Sequence, residues 1–259
     1  MTKVVEVTRN GAVATVVLNR PDKMNALNLP VWQGLAEAFA EINADDGIRC
    51  VILRGAGEKA FAPGADITEF ETVRSNAAQA AAYDAEMRKA LGLVYDCPHS
   101  TIAQIYGPCV GGGLELAAQC DLRISGESGK FGVPVGKISV AMGQPEIEGI
   151  MRLCGPARAL EILLEARVFG ADEALAMGLI HRILPDDGLQ AEVDATVKRV
   201  VGNAPLVNRW HKEFVRRAGQ AQPYTETELA RAYDFLTTED YQEGMAAFAE
   251  KRRPQFKGK

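Results

Sequence analysis

The chain has 259 residues, 47% of them hydrophobic and 24% charged, with a net charge of −5 at neutral pH, a balance that suits one large globular domain or one domain with an appendage. The acidic excess argues against a general nucleic-acid or membrane-surface binder, although local lysines and arginines leave room for a phosphorylated ligand. No apolar stretch approaches the ~20 residues that cross a bilayer, and Met1-Thr2-Lys3-Val4 opens no signal-peptide apolar region, so a cytoplasmic protein is expected. Cys50, Cys97, Cys109, Cys120 and Cys154 are scattered without a CxxC pair and read as reduced thiols. His99, His181 and His211 lie too far apart for zinc-site spacing, so no metal is expected.

In chain order, 4–8 and 12–18, joined through Arg9-Asn10-Gly11, predict a β-hairpin with a two-residue Asn-Gly turn. Pro21-Asp22-Lys23-Met24-Asn25 breaks the pattern, and an amphipathic helix is predicted over 30–44. A short buried strand at 50–54 ends at Gly55-Ala56-Gly57, and the loop Phe61-Ala62-Pro63-Gly64-Ala65-Asp66 follows, with Asp66 placed to cap the next turn. A polar, alanine-rich helical stretch runs to about residue 95, then come a strand at 101–105, a glycine-led helix and a strand at 121–125. Short strands alternating with helices indicate an α/β protein. From Pro156 onward helices dominate, over 157–165, 172–177, 188–203 and 205–218, where Leu206, Trp210 and Phe214 recur every fourth residue, and then 224–236 and 239–250. These helices have little sheet to cover and are expected to pack on one another or on another subunit. The expected division is a core over 1–200 and a helical region over 201–259, ending in a solvated basic tail at 251–259.

The densest chemical pattern is Gly111-Gly112-Gly113-Leu114-Glu115, set between the apolar strand Thr101-Ile102-Ala103-Gln104-Ile105 and the helix formers that follow. Glycines at a helix start let a bulky group lie against bare backbone and leave unpaired N–H groups at the positive end of the helix dipole. Glu115 lies one turn further on, and its Cα–Cβ bond tilts back toward that end. Donors for a developing oxyanion and a proton-moving carboxylate thus converge, which suits chemistry next to a carbonyl. Nucleotide motifs fail on inspection: Gly107 and Gly112 have P-loop spacing, but Gly113 stands where the lysine belongs, and no GxGxxG follows a strand. Gly126-Glu127-Ser128-Gly129 is one residue short of a nucleophile elbow. Cys109, near the same helix start but with no local histidine, reads as a small packed thiol.

Taken together, the chain resembles the enoyl-CoA hydratase/isomerase (crotonase) superfamily over nearly its whole length. The resemblance rests on Asn19-Arg20-Pro21 with Asn25-Ala26-Leu27, on Lys59-Ala60-Phe61-Ala62-Pro63-Gly64-Ala65-Asp66-Ile67, and on Gly107-Pro108-Cys109-Val110-Gly111-Gly112-Gly113-Leu114-Glu115-Leu116-Ala117. Cys120-Asp121, Lys130-Phe131-Gly132, the Ala…Glu-Ala…Gly-Leu run over 171–179, and Glu243-Gly244-Met245…Phe248…Glu250-Lys251-Arg252 continue it in order. The resemblance implies a spiral of ββα turns followed by helices that build a homotrimer, often a dimer of trimers. It implies an acyl-CoA thioester as substrate, coenzyme A being part of that substrate and no separate cofactor being bound. It places the thioester oxygen between the backbone N–H groups of Ala65 and Gly112, where losing one donor typically costs about 3 kcal/mol of transition-state stabilisation. It assigns adenine contacts to backbone around Ala62, Ala65, Asp66 and Ile67, the CoA phosphates to Lys23, and a neighbouring subunit's CoA to Phe248 and Lys251.

One departure bears on the reaction. Hydratases of this family carry a second glutamate in Phe-Gly-x-Pro-Glu, and this chain has Phe131-Gly132-Val133-Pro134-Val135, where Val135 carries no proton. Gln144-Pro145-Glu146-Ile147 holds a displaced Pro-Glu, but bringing Glu146 or Glu148 into that register needs the intervening loop to rearrange, and Pro-Glu is ordinary first-turn helix chemistry. Glu115 is therefore expected to work as the one acid/base, with a pKa raised by a partly apolar pocket, and Glu146 or Glu148 stand as alternatives. A single carboxylate could cycle a proton from water to C2 or shift a double bond, so hydration is the first reading and isomerisation the second. Thioester hydrolysis, decarboxylation, a catalytically weak CoA-binding protein and a nucleotide-dependent enzyme remain as alternatives. Pocket walls are expected from the 66–95 and 133–150 regions.

Overall fold

The computed structural model describes residues 3–259. Strands β1 (Val5–Asn10) and β2 (Val13–Leu18) form the expected hairpin, but Asn10 faces Val13, so the two turn residues are Gly11 and Ala12 rather than Asn10 and Gly11. Burial decides this register: it turns Ala14, Val16 and Leu18 into the core, and a one-residue slip would turn them out.

β2 then pairs in parallel with β3 (Cys50–Gly55), β3 with β4 (Ser100–Ile105), β4 with β6 (Leu122–Gly126) and β6 with β9 (Arg182–Leu184), giving a six-stranded sheet ordered β1-β2-β3-β4-β6-β9. A smaller sheet holds β5 (Pro108–Val110), β7 (Lys130–Gly132) and β8 (Phe169–Gly170). Each turn of the chain gives one strand to the large sheet, one to the small sheet, and then a helix. β4 and β5 lead into α4 (Gly112–Ala118), and β6 and β7 lead to α5 (Gln144–Glu165). The earlier turn follows the same rule, because Ala62, after β3, bridges to Cys109 of β5. This is the expected spiral of ββα turns.

Helices α1 (Leu29–Asn43) and α3 (Ala77–Tyr95) pack over one face of the large sheet, with Trp32, Leu35, Phe39 and Tyr83 fully buried. On the other face α7 (Asp186–Val201) seats Leu189 and Val193 against Ile52, Ile102 and Ile124. Coverage on both sides explains why β3 opens on the continuous apolar run Cys50-Val51-Ile52-Leu53. The short α2 (Phe70–Val73) precedes α3, and α6 (Ala171–Ala176) follows β8.

Helix α5 begins well before the expected start at 157 and bends at Gly155-Pro156, where Gly155 takes φ +74°. Its first half lacks a clear apolar period, and Pro145 in its opening turn is the one start mark. Helix α8 (Pro205–Ala218) has the predicted bounds and is tied to the core: Lys212 Nζ donates to Cys97 O at 2.8 Å and pairs with Asp121 at 2.6 Å. The stretch expected as one helix over 224–236 splits into α9 (Glu226–Ala230) and a 3-10 segment (Arg231–Thr237), before α10 (Glu239–Ala249). Among the described residues no helix is long and apolar enough to cross a membrane, and all five cysteines are free.

Candidate active site

The loop after β3 is clamped from two sides. Ala62 N–H donates to Pro108 O at 2.9 Å and Ala62 O accepts from Val110 N–H at 3.0 Å, which fixes the loop to β5. On the other side Leu27 N–H donates to Gly64 O at 2.9 Å and Asp66 N–H donates to Leu27 O at 2.8 Å. The residue between two such bonded neighbours in a parallel bridge aims its own N–H the opposite way, so Ala65 N–H is turned from the 25–27 segment and has no acceptor among the described residues. Gly64 makes the turn at φ +118°, a conformation that side chains rarely allow.

The early Asn-Arg-Pro and Asn-Ala-Leu motifs build this clamp. Asn25 is buried at positive φ and donates through Nδ2 to Ala60 O at 2.8 Å. Arg20 bonds Ala26 O at 2.7 Å and pairs with Asp66 at 2.8 Å. The Asp66 carboxylate also accepts from Thr68, as its expected capping role requires, and the Thr68 and Arg20 contacts hold its pKa below the usual range.

Gly112 is the first residue of α4, after Gly111, and its N–H is one of the orphan donors every helix start leaves. No acceptor among the described residues takes it. A Cβ placed on Gly112 would stand 3.9 Å from Ala65 N, so the two free amides are near neighbours on one wall. Gly113 permits the approach: a Cβ there would sit 2.2 Å from Ala62 O.

Ala65, Gly112 and Glu115 line one cavity of about 390 Å³. Glu115 is 5% exposed, and Gln119 Nε2 bonds its backbone oxygen rather than its carboxylate. Burial first, and the nearby Glu146 carboxylate second, push its pKa up to about 8, as an acid/base near neutral pH requires. The rest of the wall comes from the two expected regions, with Phe70, Arg74, Tyr83 and Met87 on one side and Val135 and Met142 on the other. Arg74 stacks on the Phe70 and Tyr83 rings and pairs with Asp84 at 3.0 Å, and Trp32 Nε1 donates to Tyr83 Oη at 3.0 Å. Sequence alone did not single out Trp32, Arg74, Tyr83 or Asp84. Their only mark was the helical spacing of Tyr83, Asp84 and Met87, which a polar helix hides.

The expectation that a loop rearrangement would be needed to use Glu146 is corrected. A 3-10 turn over Pro134–Ile138 carries the chain past Val135, and α5 then starts against the cavity, with Glu146 in its first turn and 4% exposed. Its Oε1 accepts from Arg88 Nε at 2.6 Å, whereas its Oε2 is buried without a partner among the described residues. Glu148 points elsewhere: it is paired with Arg152 at the surface and lines no part of the cavity.

The remaining candidates are spread. Ala62 is fully buried with both main-chain polar groups engaged, and Asp66 N–H is engaged as well, so these two position the loop and offer little to an adenine ring. Ile67 is 60% exposed at the cavity wall. Lys23 stands exposed in the turn Pro21–Lys23, and Phe248 and Lys251 are exposed at the end of α10, away from their own chain's cavity. Cys109 is packed as expected: its burial pushes the thiol pKa up, away from a thiolate.

Residues 8–259 match the family described as enoyl-CoA hydratase/isomerase. The crystal structure of an enoyl-CoA hydratase/carnithine racemase from Magnetospirillum magneticum is 60% identical, with a TM-score of 0.98 over 100% of this chain and 97% of that one. A Mycobacterium tuberculosis protein named "Probable enoyl-CoA hydratase echA8" is 36% identical over 252 residues, 96% of each chain. The crotonyl-CoA hydratase of Syntrophomonas wolfei is 32% identical over 252 residues, 94% of each. A family match over residues 8–259, together with a 60% identical structure that superposes over the whole chain, shows that the chain belongs to the enoyl-CoA hydratase/isomerase family.

Proposed function

We propose that this protein hydrates a 2-enoyl-CoA thioester through an enolate whose oxygen is held by Ala65 N–H and Gly112 N–H, with Glu115 exchanging the proton at C2. The observation that carries the reading is the pair of unengaged amides beside a buried carboxylate on one cavity wall. Two fixed donors there stabilise charge that grows on the thioester oxygen, and they need no reorganisation during reaction. The cavity would take the acyl group and thioester, Ile67 lies exposed at its wall, and the exposed Lys23 is proposed to meet the CoA phosphates. Phe248 and Lys251, both exposed, are proposed to meet the CoA of a neighbouring subunit in a homotrimer or dimer of trimers, which would also cover apolar side chains such as Leu164, 79% exposed. The names of the relatives lean toward a lyase. Val135, in place of the usual second carboxylate, keeps a double-bond shift as the second reading.

The test is a panel of enoyl-CoA thioesters followed by loss of the conjugated enoyl absorbance, with deuterium uptake at C2 measured in parallel. Hydration and a shift of the double bond to C3 both remove the conjugated absorbance, and only hydration adds the mass of one water to the product, which mass spectrometry reads. Acyl-CoA binding without turnover or deuterium uptake would refute catalysis and favour a CoA-binding protein.

A further inference from the structure

We propose that Glu146, from the first turn of α5, is the second carboxylate of the reaction centre, occupying by a different route the space that Val135 leaves apolar. This rests on the hydration reading above. Three observations carry it. Glu146 is 4% exposed yet lines the same cavity as Glu115. One of its oxygens is anchored by Arg88 Nε at 2.6 Å, and the other, Oε2, is buried with no donor among the described residues. A buried carboxylate oxygen left unpaired costs stability and is retained where something outside the chain completes it. Gly143 makes room for this arrangement, since a Cβ at that position would stand 2.4 Å from Oε2. The Arg88 ion pair uses only Oε1, and Oε2 makes no capping bond to the start of α5.

The division of labour follows from proton balance. Glu146, as carboxylate, takes a proton from water while the water oxygen bonds to C3 and the C2–C3 double bond gives its electron pair to the thioester as the enolate. Glu115, as carboxylic acid, then gives its proton to C2 as the enolate collapses. Water has been added across the double bond, and the proton on Glu146 returns to Glu115 through solvent or a bridging water before the next turnover. Arg88 holds Glu146 in place and touches no reacting atom.

The test compares wild type, Glu146→Gln, Glu146→Asp and Glu115→Gln on crotonyl-CoA, with C2 deuterium uptake from D2O and thermal unfolding recorded for each. The expected result for Glu146→Gln is a kcat about 10²–10⁴-fold lower with KM within a few-fold and the fold intact. A variant that combines Glu115→Gln with Glu146→Gln should lose no more than the worse single one, as for groups that act as a unit. Glu146→Asp, which keeps the charge but draws it back from the cavity, should also lose kcat, and it serves if the glutamine variant does not fold. A kcat within about threefold of wild type in either folded Glu146 variant overturns this inference while leaving the hydratase reading standing. A wild type that neither hydrates nor exchanges at C2 overturns both.

Discussion

Replacing Glu115 by glutamine trades activity for stability, and the trade has a calculable pH dependence. The side chain keeps its shape, and the main-chain contacts of this residue, its N–H to Gly111 O and its oxygen to Gln119 Nε2, are untouched. Between pH 4.5 and about 8 the folded protein keeps a proton on Glu115 that the unfolded chain has released. Every rise in pH across that window therefore favours unfolding, and the penalty is complete above about 8. At about 1.4 kcal/mol per tenfold change, the rise from 4.5 to about 8 sets a ceiling of roughly 5 kcal/mol. Relaxation and water entry lower that ceiling, so a few kcal/mol, on the order of 2–4, is expected. Urea unfolding of wild type and Glu115→Gln at pH 5, 7 and 9 measures it. The two should be close at pH 5, and the variant should be the more stable at pH 9, while hydration falls by about 10²–10⁴-fold. Equal stability at pH 9 would refute the buried-acid argument, and unchanged turnover would remove Glu115 from the mechanism.

Other outcomes follow from the same geometry. With Glu115 donating to C2 and Glu146 accepting from water, kcat/KM for hydration should fall as pH passes about 8, because the donor is lost; a rate that rises through that point would mean that Glu115 works alone as a base. Gly113→Ala pushes a methyl to 2.2 Å from Ala62 O, which cannot yield without breaking the clamp, so a loss of about 1–3 kcal/mol and a lower kcat are expected from unfolding curves and rate assays. Asp66→Asn leaves the part-buried Arg20 without its charge partner and should cost about 1–3 kcal/mol. Because Arg20 and Thr68 depress the Asp66 pKa, that stability is present above the unfolded value of 3.8 and is lost as pH falls through the lower folded value, so wild type and variant should converge in acid.

Local patterns fixed much of this molecule. The strand chemistry of 101–105, the glycines before Leu114-Glu115 and the turn at Gly64 act within a few residues of chain, so a strand, a helix start and a loop turn were legible in order, whereas the free amide of Ala65 was indicated only by the family resemblance. The bounds of α8 were equally clear, because Leu206, Trp210 and Phe214 mark one face. The hairpin turn was misplaced by one residue, since Asn10-Gly11 is a good local turn and only burial of Ala14, Val16 and Leu18 chooses the neighbouring register. The second carboxylate shows the limit most clearly. Val135 occupies the expected position in the chain, and Glu146 lies eleven residues beyond it, so spacing argued for a single acid/base. Where a helix begins in three dimensions is set by how it packs on the cavity wall, and the start of α5 beside Met87 and Arg88 of α3 brings Glu146 to Glu115. The raised pKa of Glu115 is likewise a tertiary property: desolvation depends on what closes over a group, and no pattern along the chain records that.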